Sequence, residues 1–280
     1  MPVDYKCFVH PDDEKAMNLF RGHQFFELLT STYIEHVHED VLHGINLVSK
    51  IRLSPKQIPC LYSYLPPICD KLQIEEPEFY MEMNPYPNAY TYGDKNPAIV
   101  ITSGLTELLP EDELKAAIAH ECGHILCEHV RYRTMAQTIL QGGMFLLDKL
   151  AMPAVYALNT WCRNSEFSAD RVACWVVDDN PNIVTRMMMR LSGGGRNITE
   201  GFNVDEYYKQ ISAYDEFVNT SHINKWVQNL LIADALHPYP GIRSREILAW
   251  YNSPDRGVPG VIREQDDEDE IIYYQGGKND

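Results

Sequence analysis

Residues 110–126 read Pro-Glu-Asp-Glu-Leu-Lys-Ala-Ala-Ile-Ala-His-Glu-Cys-Gly-His-Ile-Leu, and within them lies His120-Glu-Cys-Gly-His124. A proline followed by three acids opens a helix, because the acids complement the free N–H groups of its first turn. The pattern predicts that this helix runs to about Met135. At 100° per residue, His120, Glu121 and His124 fall within an arc of about 100°. Two histidines at i and i+4 can share one metal ion, and a glutamate beside them can reach a water at that ion. Ile118, Cys122 and Leu126 fall on the other face, towards a core, while the small residues Ala116, Ala117 and Gly123 border the arc and leave room for a cleft.

A solvated His/Glu face would share this pattern, so a third ligand is needed. The segment Asn164-Ser-Glu-Phe-Ser-Ala-Asp170 supplies it. It reads as helical, and Glu166 and Asp170, at i and i+4, share a face, with Val172, Ala173, Val176 and Val177 packing elsewhere. Glu166 is the expected third ligand, and Asp170 is expected to accept the N–H of a ligand histidine and so fix its tautomer.

Working outward, residues 78–104 change character. Phe79–Met83, Ala89–Tyr92 and Ala98–Thr102 are short β-prone runs separated by Asn, Pro, Gly and Asp, which predicts a small sheet of three strands just before the motif helix. Residues 12–52 show helical apolar spacing, and Cys60–Leu72 reads as a short helix broken by Pro66 and Pro67. Further helices are expected near 137–158, 161–179, 181–192, 204–233 and 242–251, with a glycine turn at 193–195 and a loop at His237-Pro-Tyr-Pro-Gly241. The fold class is α+β: mostly helical, with one small β-sheet. Three parts are expected: a helical N-terminal region at 1–77 packed on or extending the next part, a catalytic domain at 78–253, and an acidic tail at 254–280.

The whole chain narrows the function classes. It has 280 residues and a formal charge of −16, six of the acids lying in Glu264–Glu270. Such a surface repels nucleic acid and anionic lipid, so neither is an expected partner. No stretch reaches the roughly 18 apolar residues of a membrane span; Thr138–Leu158 comes nearest, but Gln141, Asp148, Lys149 and Pro153 interrupt it. The opening MPVDYKCFVHPDDEKAMNLF has neither a basic nor an apolar leader region. Together with an odd count of seven cysteines, this gives the expectation of a soluble, cytoplasmic chain with reduced thiols.

The motifs in this order resemble the gluzincin peptidases that include the CAAX prenyl proteases and the HtpX-type membrane quality-control proteases. The matching residues are Asn88-Ala-Tyr-Thr-Tyr-Gly93, Ala98–Leu105, Asp112–His124, Glu166–Asp170 as ExxxD, and His237-Pro with Arg243. The resemblance spans about 83–177 and 237–243, a little under half the chain, and residues 1–77 show none. It implies a zincin-like metallopeptidase domain with one Zn2+ per chain on His120, His124 and Glu166. Known members often carry membrane helices around these motifs; the short gap from His124 to Glu166 holds none, which marks a soluble, minimal version. Cys122 stands where an aliphatic residue is usual and reads as core. Cys127 lies nearer the catalytic side, where packing is expected over competition for the metal.

The implied reaction is hydrolysis of peptide bonds by a zinc-bound water, with Glu121 as general base. Asn88–Gly93 resembles the family's cleft-edge strand, so Asn88, Ala89 and Tyr90 are expected to hold an extended peptide or protein substrate by main-chain hydrogen bonds. His237 is expected near the metal, to stabilise the oxyanion or to occupy the open metal position, a loop histidine without a role being the alternative; Arg243 is expected to pair with a carboxylate behind the ligands. Two other classes share the motif: a binding module with a structural zinc, against which the intact Glu121 argues, and a non-peptide amidase. Ile271–Tyr274, beside the acids of the tail, is a β-prone run that could pair with the strand edge at Asn88–Gly93 and hold an enzyme latent; a solvated tail is the simpler reading.

Overall fold

The computed structural model describes residues 3–21, 39–141, 152–195, 201–221, 237–254 and 256–257. After a 3-10 turn at Tyr5–Cys7 come α1 (Pro11–Arg21), α2 (Glu39–Ser49), β1 (Ile51–Arg52), α3 (Pro59–Tyr62) and α4 (Leu65–Leu72). Then follow β2 (Glu78–Glu82), β3 (Ala89–Tyr92), β4 (Ala98–Thr102), α5 (Ser103–Leu108), α6 (Glu111–Leu126) and α7 (Val130–Gln141). The chain continues with α8 (Met152–Val176), α9 (Pro181–Gly193), α10 (Val204–Asn219) and α11 (Pro240–Tyr251). The fold is α+β, mostly helical with one small sheet. No described helix is long and apolar enough to cross a membrane.

The sheet has the order β1-β2-β4-β3, with β2 and β4 parallel and the other pairs antiparallel. Strand period divides its side chains between two layers. Phe79, Ile99 and Ile101 face the main helical core, whereas Tyr80, Tyr92, Ala98 and Val100 form a second cluster that Leu42 of α2 and Tyr90 help to cover. β4 is buried along its whole length, which explains its unbroken apolar run. β3 is left at the sheet edge.

The helical core gathers around α6 and α8. Ile118, Ala119 and Cys122 of α6 meet Val172 and Ala173 of α8, with Leu65, Ile68, Cys69 and Leu72 from α4, Met187 and Met188 from α9, and Ile247 and Trp250 from α11. Gly123 sets the distance between the two central helices. A Cβ there would lie 3.0 Å from Val172 Cβ and 3.1 Å from Ala169 Cα, so only glycine lets the backbones approach this closely. That approach brings Glu166 of α8 beside the histidines of α6. The N-terminal segment joins the same core: Phe8 is fully buried, with its ring centroid 5.3 Å from that of Trp175 and 6.3 Å from that of Trp250.

Several expected elements differ. A fourth strand, β1, pairs with Tyr80 and Met81; two residues are too few to show a period, and the helical reading ran through them. Helix 12–52 is α1 and α2, with 22–38 outside the described residues. Pro66 and Pro67 start α4 rather than break a helix, because its first-turn N–H groups have no helical partner to lose. The motif helix stops at Leu126 and not near Met135, because Glu128 takes a left-handed conformation at φ 60° and α7 starts afresh. The helices expected at 137–158 and 161–179 resolve into α7 and a continuous α8 of 25 residues, with 142–151 outside the description; no Gly or Pro follows Pro153 to interrupt α8. The helix expected at 204–233 ends at Asn219, and 222–236 and the tail from 258 lie outside the described residues.

Candidate metal centre

α6 carries His120, Glu121 and His124 on one face, and α8 brings Glu166 across from them. His120 Nε2 lies 3.4 Å from Glu166 Oε2, and His124 Nε2 lies 3.3 Å from Glu166 Oε1. One ligand atom from each of the three lies within 4.8 Å of the others, and all three residues are buried. His124 Nε2 makes no hydrogen bond, and the Glu166 oxygens, although ion-paired with Arg133, His237 and Arg243, make none of good geometry. Leaving a buried nitrogen such as His124 Nε2 unsatisfied costs about 1–3 kcal/mol, and a cation between it and Glu166 would satisfy it. A two-histidine, one-carboxylate donor set suits zinc.

The surroundings orient the donors and set their charge, and a metal at neutral pH would have to displace a proton from His120. His120 Nδ1 lies 2.9 Å from Asp170 Oδ1. Asp170 accepts this N–H and also two from Arg243, Nη2 to Oδ1 at 2.6 Å and Nε to Oδ2 at 2.8 Å, a two-pronged pairing that fixes the carboxylate plane. With Nδ1 donating, His120 keeps its Nε2 lone pair for a metal. Burial and Arg243 oppose protonation of His120, but Asp170 and Glu166 outweigh them and push its pKa up to about 9. Glu166 is held well below the carboxylate range: burial acts against this, and the positive charges of His237, Arg133 and Arg243 overcome it. His237 Nδ1 is 2.9 Å and Arg133 Nη1 is 2.6 Å from the Glu166 oxygens. Burial and Arg133 keep His124 well below the usual imidazole value, the form that coordinates a metal.

Glu121 accepts a hydrogen bond from Thr91 Oγ1 at 2.6 Å. Glu121 lines a cleft of about 170 Å³. His120, Glu121, Glu166, His237 and Arg243 are its polar lining, and Pro87, Leu105, Ala117, Met187 and Leu191 its apolar lining. The edge of β3 runs beside it. Thr102 N–H donates to the Asn88 carbonyl at 3.0 Å, which makes Asn88 and Thr102 a bonded pair. Antiparallel alternation then turns the backbone groups of Tyr90 and Tyr92 towards β4 and those of Ala89 and Thr91 outward. Gly93, next in the outward set, is taken by Thr134 of α7: its N–H donates to Thr134 Oγ1 at 3.0 Å, and its carbonyl accepts at 3.2 Å. The edge is therefore shut at 93, Thr91 is buried, and Ala89 is the outward position left partly exposed.

The structure brings together His120, Glu121, His124, Glu166, Asp170, His237 and Arg243, and places Asn88 and Ala89 along the cleft. Tyr90 is a correction. Its hydroxyl donates to Glu82 Oε2 at 2.8 Å and its ring stacks on Tyr92 on the far face of the sheet; strand alternation turns it away from the cleft and turns Thr91 inward. Cys122 and Cys127 are both core residues. Sequence reasoning missed Thr91, Arg133, His129 and Asp13. His129, five residues after His124, is off the helix face that spacing can read, and nothing in the sequence ties Asp13 to the site.

Comparisons agree with this geometry. Residues 61–245 match the model of peptidase family M48. The chain is 31% identical over 256 residues to the plastoglobule-localized metallopeptidase 48, chloroplastic, of Arabidopsis thaliana, covering 90% of this chain and 74% of that one. It is 38% identical over 104 residues to a protease HtpX homolog of Helicobacter pylori, 36% of this chain and 32% of the other. With an HtpX homolog of Trichormus variabilis it shares 32% identity over 101 residues, 35% of each. No solved structure matches.

Proposed function

Because the chain belongs to peptidase family M48 and is thus a metalloprotease acting on peptides, we propose that it is a zinc endopeptidase with His120, His124 and Glu166 as ligands and Glu121 as general base. The observation that carries the reading is the trio of buried donor atoms within 4.8 Å of one another, among them His124 Nε2, which makes no hydrogen bond. When bound, zinc supplies Lewis acidity for the scissile carbonyl and acidifies a water.

The remaining work falls to the protein. Glu121, oriented by the Thr91 hydroxyl, takes the proton of the attacking water and returns it to the leaving amine. Asp170, clamped by Arg243, keeps the proton of His120 on Nδ1. His237, half exposed at the cleft mouth and joined to Glu166, is positioned to donate to the developing oxyanion. An extended substrate adds to the β3 edge through the outward groups of Ala89, beside Asn88 in the cleft lining. The wall of Leu105, Ala117, Met187 and Leu191 favours an apolar substrate side chain beside the scissile bond.

Residues 1–77 are read as an extension of the catalytic domain, supported by the burial of Phe8, Leu53 and Leu65 in the core of α6 and α8. A reducing compartment such as the cytoplasm is proposed from the free thiols of all seven cysteines; the printed name of the Arabidopsis relative assigns that protein to the plastoglobule. The test combines metal analysis with a quenched-peptide assay, with and without chelator. One zinc per chain, with turnover that chelator abolishes and zinc restores, is expected. Full zinc in Glu166→Ala would remove Glu166 from the ligand set.

A further inference from the structure

α6 ends in a turn that aims one more histidine at the metal ligands. Glu128 is left-handed at φ 60°, Glu128 N–H donates to the Ile125 carbonyl at 3.1 Å, and His129 N–H donates to the His124 carbonyl at 2.9 Å. These two bonds, spanning four and six residues, are the Schellman motif, which presses the side chain after the left-handed residue against the one five positions earlier. That contact is ordinarily apolar. Here it joins two imidazoles, and His124 Nδ1 lies 3.0 Å from His129 Nδ1.

The chain of contacts continues to the N-terminal helix. His129 Nε2 lies 2.9 Å from Asp13 Oδ2. Asp13 also accepts from Trp161 Nε1 at 2.8 Å and from Ser168 Oγ at 2.5 Å, while the Ser168 oxygen accepts His10 N–H at 2.9 Å. Asp13, His124 and His129 are each about 1% exposed, so no bulk water substitutes for these partners. α1 grips the turn a second time through the ion pair of Arg21 with Glu128.

The tautomers follow from one condition. If His124 is to offer Nε2 to a metal, its proton must sit on Nδ1 and be donated to His129 Nδ1. His129 then carries its own proton on Nε2, and a carboxylate must accept it; Asp13 is that carboxylate. We propose that His129 and Asp13 are positioning residues for the metal ligand His124: the relay from α1 fixes its tautomer and ring orientation, so that the N-terminal helix forms part of the metal centre. The inference rests on His124 being a ligand. No other described side chain is hydrogen-bonded to His124 Nδ1, which leaves His129 to hold the proton there.

The test is a zinc competition titration against a chromophoric chelator, on full-length protein, with thermal melts to score folding. His129→Leu fills the space but accepts nothing; zinc affinity is expected to fall about 10–100-fold, the usual effect of losing a ligand's outer partner. His129→Gln offers a carbonyl to His124 and an amide to Asp13 and is expected to recover most of that loss. Tyr208→Phe removes a buried bond between α10 and Thr185 of α9, outside the relay; it is expected to lower stability and leave zinc affinity unchanged. A folded His129→Leu with wild-type affinity overturns the proposal, and so does equal loss in folded Leu and Gln variants. If His129→Leu does not fold, Asp13→Asn decides: it keeps an acceptor oxygen but loses the charge, a several-fold loss is expected, and unchanged affinity overturns the relay. Absence of zinc from the wild type, or its retention by His124→Ala, refutes the ligand assignment as well; a wild type that holds zinc through His124 isolates the relay as the part at fault.

Discussion

His120 and His124 lie one turn apart on one helix, yet they are braced from opposite directions. Behind His120 stands Asp170, four residues after Glu166 on α8, held in turn by Arg243 of α11. Behind His124 stands His129 on the turn that ends the same helix, held by Asp13 of α1. The first brace ends on a guanidinium that keeps its charge at any working pH. The second ends on a carboxylate and passes through the ring of His129. Both leave the ligand imidazole in the same tautomer. The requirement is therefore a donor N–H facing away from the metal, and either a carboxylate or a neutral imidazole can receive it.

The largest expected effects treat the two histidines alike. His120→Ala and His124→Ala should each reduce bound zinc from one per chain to near none, because two protein ligands make a poor zinc site; metal analysis of desalted protein checks this. Zinc retained by one variant and lost by the other would break the symmetry on which the comparison rests. Next in size, Glu121→Gln should keep zinc and lower turnover by about 10²–10⁴-fold, since only the base is removed. Wild-type turnover by pure Glu121→Gln would remove Glu121 from the mechanism.

The two braces should separate at the next level. Asp170→Ala is expected to weaken zinc binding about 10–100-fold, and also to leave the buried Arg243 guanidinium with Glu166 as its remaining carboxylate. Arg243 loses both of its short bonds in Asp170→Ala, whereas Asp13 keeps its bonds from Trp161 and Ser168 in His129→Leu, so stability should fall more in Asp170→Ala than in His129→Leu for a similar loss of affinity. Melting curves of zinc-free protein compare the two directly; a larger drop for His129→Leu would reverse the ranking.

The brace on His120 was legible in the sequence and the one on His124 was not, for physical reasons. Glu166 and Asp170 sit four apart on a helix with no interruption, so their common face follows from the helical repeat. Arg243 was legible only through the resemblance. His129 faces His124 because Glu128 adopts φ 60°, and a glutamate gives no warning of that, since the left-handed position after a helix is usually glycine. Asp13 reaches the site through tertiary packing of α1 on α8, for which spacing along the chain holds no signal. Strand parity failed similarly at Tyr90. The run Asn88–Gly93 marks a strand, but only the bond from Thr102 to the Asn88 carbonyl decides which side chains face the cleft.

Gly123→Ala probes what both braces share, the approach of α6 to α8. The added Cβ would lie 3.0 Å from Val172 Cβ and 3.1 Å from Ala169 Cα, and a backbone atom cannot move aside as a side-chain tip can. Overpacking of this kind costs about 1–3 kcal/mol, read as a lower denaturant midpoint. Displacing α8 moves Glu166 and Asp170 together, so zinc affinity should fall as well. A destabilised variant with unchanged affinity would mean that the helices separate elsewhere along their length.

The smallest expected effect asks what aims His129. Two features could do so, the left-handed turn at Glu128 and the Arg21–Glu128 ion pair that ties the turn to α1. Glu128→Gly separates them, because glycine adopts φ 60° without the strain of a Cβ but has no carboxylate for Arg21. The left-handed conformation costs a residue with a Cβ roughly 1–2 kcal/mol. Against this, glycine gives up about 0.4–1 kcal/mol through the freer unfolded chain. Both partners of the ion pair are well exposed, with side-chain exposures of 42% and 60%, so solvent limits its worth to about 0–1 kcal/mol. The terms nearly cancel, and stability should change by less than about 1 kcal/mol in either direction. Zinc affinity should stay at the wild-type value, because the hydrogen bonds from Glu128 and His129 to the carbonyls of Ile125 and His124 involve only backbone and survive the substitution. A clear fall in affinity at unchanged stability would show that the ion pair to α1, and not the turn, sets the direction of His129, and that the N-terminal helix governs this brace at both of its contacts.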